Sequence, residues 1–275
     1  MKQLKTSLRS FRDLFERSIP VITITEPLAS FDEDADVQEV RAFARQKNYD
    51  RIGVRAKGLV DGYALAAELE EGILLDHRKS FSNEDEIEAS AAIQNALKRL
   101  VTPDRKSLFV SAQGRVWGIV TRGDLQKAPV RMWLFGLLTL AEMNALRIIR
   151  TCCPDGAWKN MLEPKRIEVA QHTMNHKRFC NEESVDLADY LHIHDIFTVI
   201  GKGEKTRAFF KVAEGGTCGL FVRDVTKREE TNEVTKLRNN IAHGSDLVRG
   251  NLSWETIMEI AQKAEDFVER AETFR

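Results

Sequence analysis

Within TKLRNNIAHG, residues 235–244, Arg238, Asn239 and His243 have the types and spacing for proton transfer beside an anion. Histidine gains and loses a proton near neutral pH, which suits general acid–base work. Arginine offers a rigid fork of donors that matches an oxyanion. Asparagine both donates and accepts, so Asn239 can hold the anion or the imidazole. At about 100° per residue, Val234, Leu237 and Ile241 share one helix face. Asn239 and His243 share the opposite face, Arg238 lies at the edge of the apolar stripe, and Gly244 stops the helix. A plainer reading stands beside this one: a histidine at a helix C-terminus is stabilised by the helix dipole and needs no further role.

A second stretch with chemistry is GRVWGIVTRGDL, residues 114–125. Thr121 sits at a strand-to-helix junction, where unpaired N–H groups and the helix dipole favour an anion. Asp124 follows three residues later. Thr121 and Asp124 also fit a simple helix cap, which uses the same orphan N–H groups. An earlier copy, GLVDGYALAAEL, residues 58–69, carries Leu65 in place of Thr121 and Glu68 in place of Asp124. Leucine cannot donate a hydrogen bond, so the first copy reads as degenerate.

Other groups carry less. His172, His176 and Cys180 are four apart, and His192 and His194 follow, but no CxxC or HExxH pair anchors a zinc site, so no metal is expected. GKGEKT, residues 201–206, lacks the spacing of a phosphate loop and reads as a turn. Lys227, Arg228, Lys236 and Arg249 either widen a basic surface near His243 or form a solvated helix face. Glu142 reads as a helix-surface acid, with an inward pose that orients Arg238 as the alternative.

The elements that must position these residues fall into two halves. In the first, VITIT (21–25) has strand composition and residues 34–48 form a helix with Val37, Val40, Phe43 and Ala44 on one face. Residues 51–65 read as strand, turn, strand, and a short helix runs to Gly72. The pattern returns as a helix over 89–100, a hairpin over 107–120 turning at Gln113-Gly114, and a helix opening at TRGDL. Gly58 and Gly114 hold the same place, so the half is an internal repeat of β-α-β-β-α type. From Pro129 the patterns are helical: 129–151, 158–180 with a break at Pro164, 184–201, a short piece after Lys205, 221–244, and a last helix capped by Ser253. Residues 1–19 have helical apolar spacing at Leu4, Leu8, Phe11 and Phe15, and are expected to pack on the first domain.

Composition sets outer bounds. The 275 residues allow one large or two modest domains. A net charge of −1 gives no global basic field, so any nucleic-acid contact needs a local patch. Cys152, Cys153, Cys180 and Cys218 form no CxxC pair and read as reduced thiols, consistent with a cytoplasmic protein. The apolar run 132–141 is shorter than the roughly 20 residues of a bilayer span and reads as a buried helix, so no membrane is expected.

GRVWGIVTRGDL resembles the signature of the CBS domain family, and residues 18–128 resemble a tandem CBS pair. The resemblance implies a compact module that binds an adenine nucleotide (AMP, ADP or ATP) between its copies, with Thr121 and Asp124 on phosphate or ribose. Arg238, Asn239 and His243 resemble the motif of the HEPN superfamily, whose members include metal-independent ribonucleases of toxin–antitoxin, antiviral and RNA-processing systems. That resemblance implies RNA as substrate, a homodimer with two motifs facing one cleft, and attack by the RNA's own 2′-OH. The expected chain is thus α+β: a tandem CBS pair over 1–128 and an all-α HEPN-like bundle over 129–275. The expected activity is a nucleotide-regulated endoribonuclease. The alternative is a non-catalytic CBS-regulated module that binds RNA or protein.

Overall fold

The structure is a computed structural model that describes residues 7–102, 105–178, 186–211, 221–222, 233–250 and 252–274. It divides into two compact units, one of residues 13–130 and one that combines the segment before Asp13 with the chain from Arg131 onward.

The first unit is the repeat. In each copy a three-residue strand runs parallel to the first strand of a hairpin, with a helix between them. The first copy uses β2 (Ser30–Asp32), α2 (Val37–Lys47), β3 (Arg51–Ala56) and β4 (Leu59–Leu65). The second uses β5 (Glu86–Glu88), α3 (Ile93–Leu100), β6 (Ser107–Ala112) and β7 (Arg115–Thr121). A two-residue β1 (Glu26–Pro27) pairs antiparallel with β7. Both hairpins turn through two residues at positive φ: Lys57 and Gly58 at 52° and 78°, Gln113 and Gly114 at 54° and 71°. That is the turn whose twist matches the flanking strands. Both hairpins also slip register at the same place, after Val54 and after Val110. Asp36 caps α2 by accepting from the N–H groups of Gln38 and Glu39.

Gly62 and Gly118 are a further matched pair. A Cβ on Gly118 would meet the Thr25 methyl and come within 3.0 Å of the Glu26 carbonyl oxygen. A Cβ on Gly62 would come within 2.7 Å of the Lys79 carbonyl. Each glycine lets a preceding or following strap cross its hairpin closely. Tyr63, Phe81 and Phe109 then form an aromatic cluster from both copies, with Phe109 4.7 Å from each of the other two rings.

Several expectations for this unit change. VITIT is a short 3-10 helix over Val21–Ile24. Pro20 withholds an N–H there, and the Val21 and Ile24 side chains, one 3-10 turn apart, are both buried. The helices expected after each hairpin shrink to 3-10 turns, Ala66–Glu68 and Arg122–Gln126.

The second unit is helical: α4 (Ala128–Cys152), α5 (Pro164–Arg178), α6 (Ile193–Lys202), α7 (Glu204–Lys211), α8 (Glu233–Ala242) and α9 (Trp254–Glu272), with short 3-10 turns before α5 and α6. Ser253 caps α9 by accepting from the Thr256 N–H. Phe267 on α9 lies at the centre of the core, with ring centroids 5.0 Å from Phe197 on α6 and 4.9 Å from Phe210 on α7. The break at Pro164 is present, and GKGEKT is a joint in which Gly203 alone separates α6 from α7. The long charged segment expected over 221–244 is described only at Phe221–Val222 and from Glu233 onward; Lys227 and Arg228 lie outside the described residues.

The first turns of α1 (Leu8–Ser18) correct another expectation. They pack on the helical unit: the Leu8 N–H donates to Glu272 at 2.6 Å, and Arg12 pairs with Glu265 at 3.0 Å. Phe11 rests against Gly136 of α4, where a Cβ would approach its ring to 2.6 Å. By length and composition α4 is long and apolar enough to cross a membrane, with a most apolar window of mean hydropathy 1.4. The protein itself buries 56% of that window, with Trp133, Leu134, Leu137 and Ala141 in the core.

Candidate functional site

Val234 and Leu237 anchor α8 in the helical core. Arg238 is half-buried beside them, while Asn239 and His243 face solvent. The helix ends in a tight cap. The His243 N–H donates to the Asn239 carbonyl at 2.9 Å, Gly244 to Ile241 at 3.3 Å, and Ser245 to Asn240 at 3.0 Å. Gly244 takes φ 64°, so a left-handed glycine closes the helix and fixes His243 just past its last turn. Arg238 and His243 are five positions apart, about 140° around the helix axis.

Two further residues shape this helix end. Asn240 binds the following loop: its side-chain amide donates to the carbonyls of Leu247 and Arg249 at 3.3 and 3.1 Å. Its own carbonyl accepts from Arg131 at 3.4 Å. Asn240 thus has a structural hold on the loop, while its neighbour Asn239 is exposed. Lys236 reaches the same loop, donating to the Gly250 carbonyl at 3.2 Å.

Glu142, on α4, is the second. Burial pushes its carboxyl above the usual range, and the Arg238 guanidinium pulls it back down in part. Glu142 is half-buried and not on the open helix surface, and it feels the charge of Arg238 on α8. The raised value fixes a sign. Stability is lost as pH rises from the unfolded value, near 4.5, through the folded one, because the native state then holds a charge it disfavours. Glu142→Gln is expected to raise the urea midpoint at about pH 7.5. That gain should largely vanish near pH 4, where the Glu142 carboxyl is mostly protonated in the folded and the unfolded state alike. An equal gain at both values would show that charge is not its source.

At the repeat junction, Asp124 is buried and fully engaged. It accepts from the Thr121 N–H at 2.7 Å and the Thr121 hydroxyl at 2.8 Å, and pairs with Lys127 at 2.8 Å. Lys127 also binds the carboxylate of Glu26 and the carbonyl of Ile24. Burial alone would lower the Lys127 ammonium, but hydrogen bonds and charge from Asp124 and Glu26 raise it overall. Thr121 and Asp124 are thus brought together as a reciprocal cap. In the first copy Glu68 is exposed and pairs with Lys79 at 2.6 Å.

Among the described residues no group of three or more His, Cys, Asp or Glu side chains could hold a metal ion. Cys180 and Cys218 lie outside the described residues, while Cys152 and Cys153 are free thiols raised chiefly by burial.

No family model matches the chain, and no curated protein matches it. Solved structures of CBS domains do resemble it. The CBS domain of a bacterial CNNM/CorC family Mg2+ transporter is 18% identical over 41% of this chain and 75% of that one, with a TM-score of 0.33. CBSX2, solved in complex with AMP, is 16% identical over 41% of this chain and 97% of that one, with a TM-score of 0.36. The CBS domains of a transcriptional regulator from Streptococcus pneumoniae are 18% identical over 39% and 97%, with a TM-score of 0.34.

Proposed function

We propose that the chain is an adenine-nucleotide-sensing, metal-independent endoribonuclease of HEPN type, regulated by its repeat unit. One observation carries the catalytic half. A half-buried Arg238, within electrostatic reach of the half-buried Glu142, stands five positions before a solvent-exposed histidine held at a defined helix end. Arg238 would stabilise charge on the phosphate, and His243 would move the proton of the RNA 2′-OH or of the leaving oxygen. The angle of about 140° between them on one helix favours a homodimer, in which two copies line one cleft and a phosphate meets groups from both. Doubling Arg238 also supplies the local positive charge that a chain of net charge −1 otherwise lacks.

The test is purified protein on total RNA, with EDTA and with each of AMP, ADP and ATP, and with product ends analysed. Cleavage that survives EDTA supports the reading, together with light scattering at twice the 31.3 kDa chain mass. A requirement for added metal overturns it. Absence of cleavage in every nucleotide state leaves the non-catalytic binding module.

The sensing half rests on the Thr121–Asp124 junction, where one nucleotide per repeat pair would bind. A ribose hydroxyl on Asp124 would share or displace the Lys127 ammonium. Calorimetry is expected to show binding by the wild type and none by Asp124→Ala, which also loses a helix cap at a cost of about 1 kcal/mol. Equal binding by both proteins removes Asp124 from the site.

A further inference from the structure

A cleft of about 550 Å³ opens in the helical unit between the start of α5 and one face of α6. Its lining includes Arg166, His194, Asp195, Thr198, Gly201 and Lys202. On α6 the apolar side chains Ile193, Ile196, Phe197 and Ile200 turn to the core. His194, Thr198, Gly201 and Lys202 recur at helical spacing and form the opposite, polar row.

Arg166 is the fixed point of the cleft. Asp195 is 2% exposed and grips its guanidinium twice, at Nε over 2.7 Å and at Nη2 over 2.6 Å. A buried carboxylate is costly unless paired, so the pair is held firmly. It also leaves Nη1 outside the clamp. The Lys202 ammonium spends one proton on the Met161 carbonyl at 2.8 Å and keeps two. The Thr198 hydroxyl donates to the His194 carbonyl at 2.8 Å, so toward a ligand it acts as an acceptor. Gly201 carries no side chain, which lets a ligand approach the backbone between Thr198 and Lys202.

We propose that this cleft binds a small phosphomonoester carrying hydroxyl groups, such as a sugar phosphate. Arg166 and Lys202 reach in from different helices. A tetrahedral phosphate has oxygens to give to both, whereas a planar carboxylate is satisfied by one fork. The Thr198 oxygen accepts from a ligand hydroxyl. Glu163 and Asp195 also line the cleft and balance its two cations, so the dianion is held by direct hydrogen bonds to Arg166 and Lys202 and not by a net field. The volume exceeds what a bare phosphate fills and lies within the range of small-molecule sites. The site is separate from Arg238 and His243 and from Thr121 and Asp124, and its test is independent of the proposed ribonuclease activity.

Calorimetry on the full chain with inorganic phosphate, ribose, and ribose 5-phosphate tests this. Ribose 5-phosphate is expected to bind about tenfold tighter than phosphate, and ribose not to bind, as expected of a charge-assisted contact with added hydroxyl bonds. Lys202→Met should weaken both phosphates by about tenfold or more while leaving the melting temperature unchanged. Thr198→Val should weaken ribose 5-phosphate alone. Lys47→Met, on the surface of the other unit, should change neither affinity. Binding that survives Lys202→Met, binding lost equally in Lys47→Met, or no binding at millimolar ligand would each overturn the proposal.

Discussion

His243→Ala is expected to abolish RNA cleavage while leaving folding and RNA affinity nearly unchanged. The side chain is solvent-exposed, and the bond that holds the helix end uses its backbone N–H, which alanine keeps. A positioned acid–base group contributes about 10²–10⁴-fold in rate, so the loss would be plain in a gel assay. Arg238→Ala should behave differently. It removes the cation that faces both the phosphate and Glu142, so binding and rate should fall together. Arg238→Lys should recover little, because a point charge lacks the two-pronged donor geometry. Wild-type products should end in 2′,3′-cyclic phosphate, since the attacking oxygen belongs to the RNA. Ends bearing 5′-phosphate would sink the reading and return His243 to being an exposed residue at a helix end.

Phe267→Ala is expected to destabilise the helical unit by about 3–5 kcal/mol. Phe267 is fully buried and touches rings from α6 and α7, so its removal leaves a cavity that three elements would have to close. Phe267→Leu keeps most of the volume and should cost about 1–2 kcal/mol. Tryptophan fluorescence in urea is a suitable monitor: Trp133, Trp158 and Trp254 are buried in the helical unit, whereas Trp117 is exposed on β7 of the other. A wild-type midpoint in Phe267→Ala would mean that the aromatic cluster does not hold the unit together.

The sequence was a good guide where local chemistry decides the outcome. The hairpin tips at Lys57-Gly58 and Gln113-Gly114 demand positive φ, and the repeat of that demand exposes the repeat of the fold. Ser253 and Gly244 mark helix ends by their own backbone needs. Strands β2 and β5 were missed because three residues, Ser-Phe-Asp and Glu-Ile-Glu, are too few to show an alternation; parallel pairing to β3 and β6 makes them strands. The apolar stripe of α1 was visible, but a stripe does not name its partner, and its first turns found Gly136 and α9. At the candidate site, the types and faces of Arg238 and His243 were legible. The link of Glu142 to Arg238 was one of two readings, and the sequence could not choose between them because α4 and α8 lie far apart in the chain. Asn240 was hidden beside an identical residue; only the path of the loop after Gly244 distinguishes the two.

The contacts of α1 with α9 also bear on the order of events at the ribosome. Leu8 and Arg12 are translated 264 and 253 residues before their partners Glu272 and Glu265. At about 5–20 residues per second, the wait is on the order of ten seconds or more. During it the repeat unit, encoded between them, has emerged whole, while the helical unit lacks the helix that carries Phe267. Its apolar surfaces, Phe11 and α4 among them, are then open to chaperones, and a ribosome stalled before α9 leaves them so.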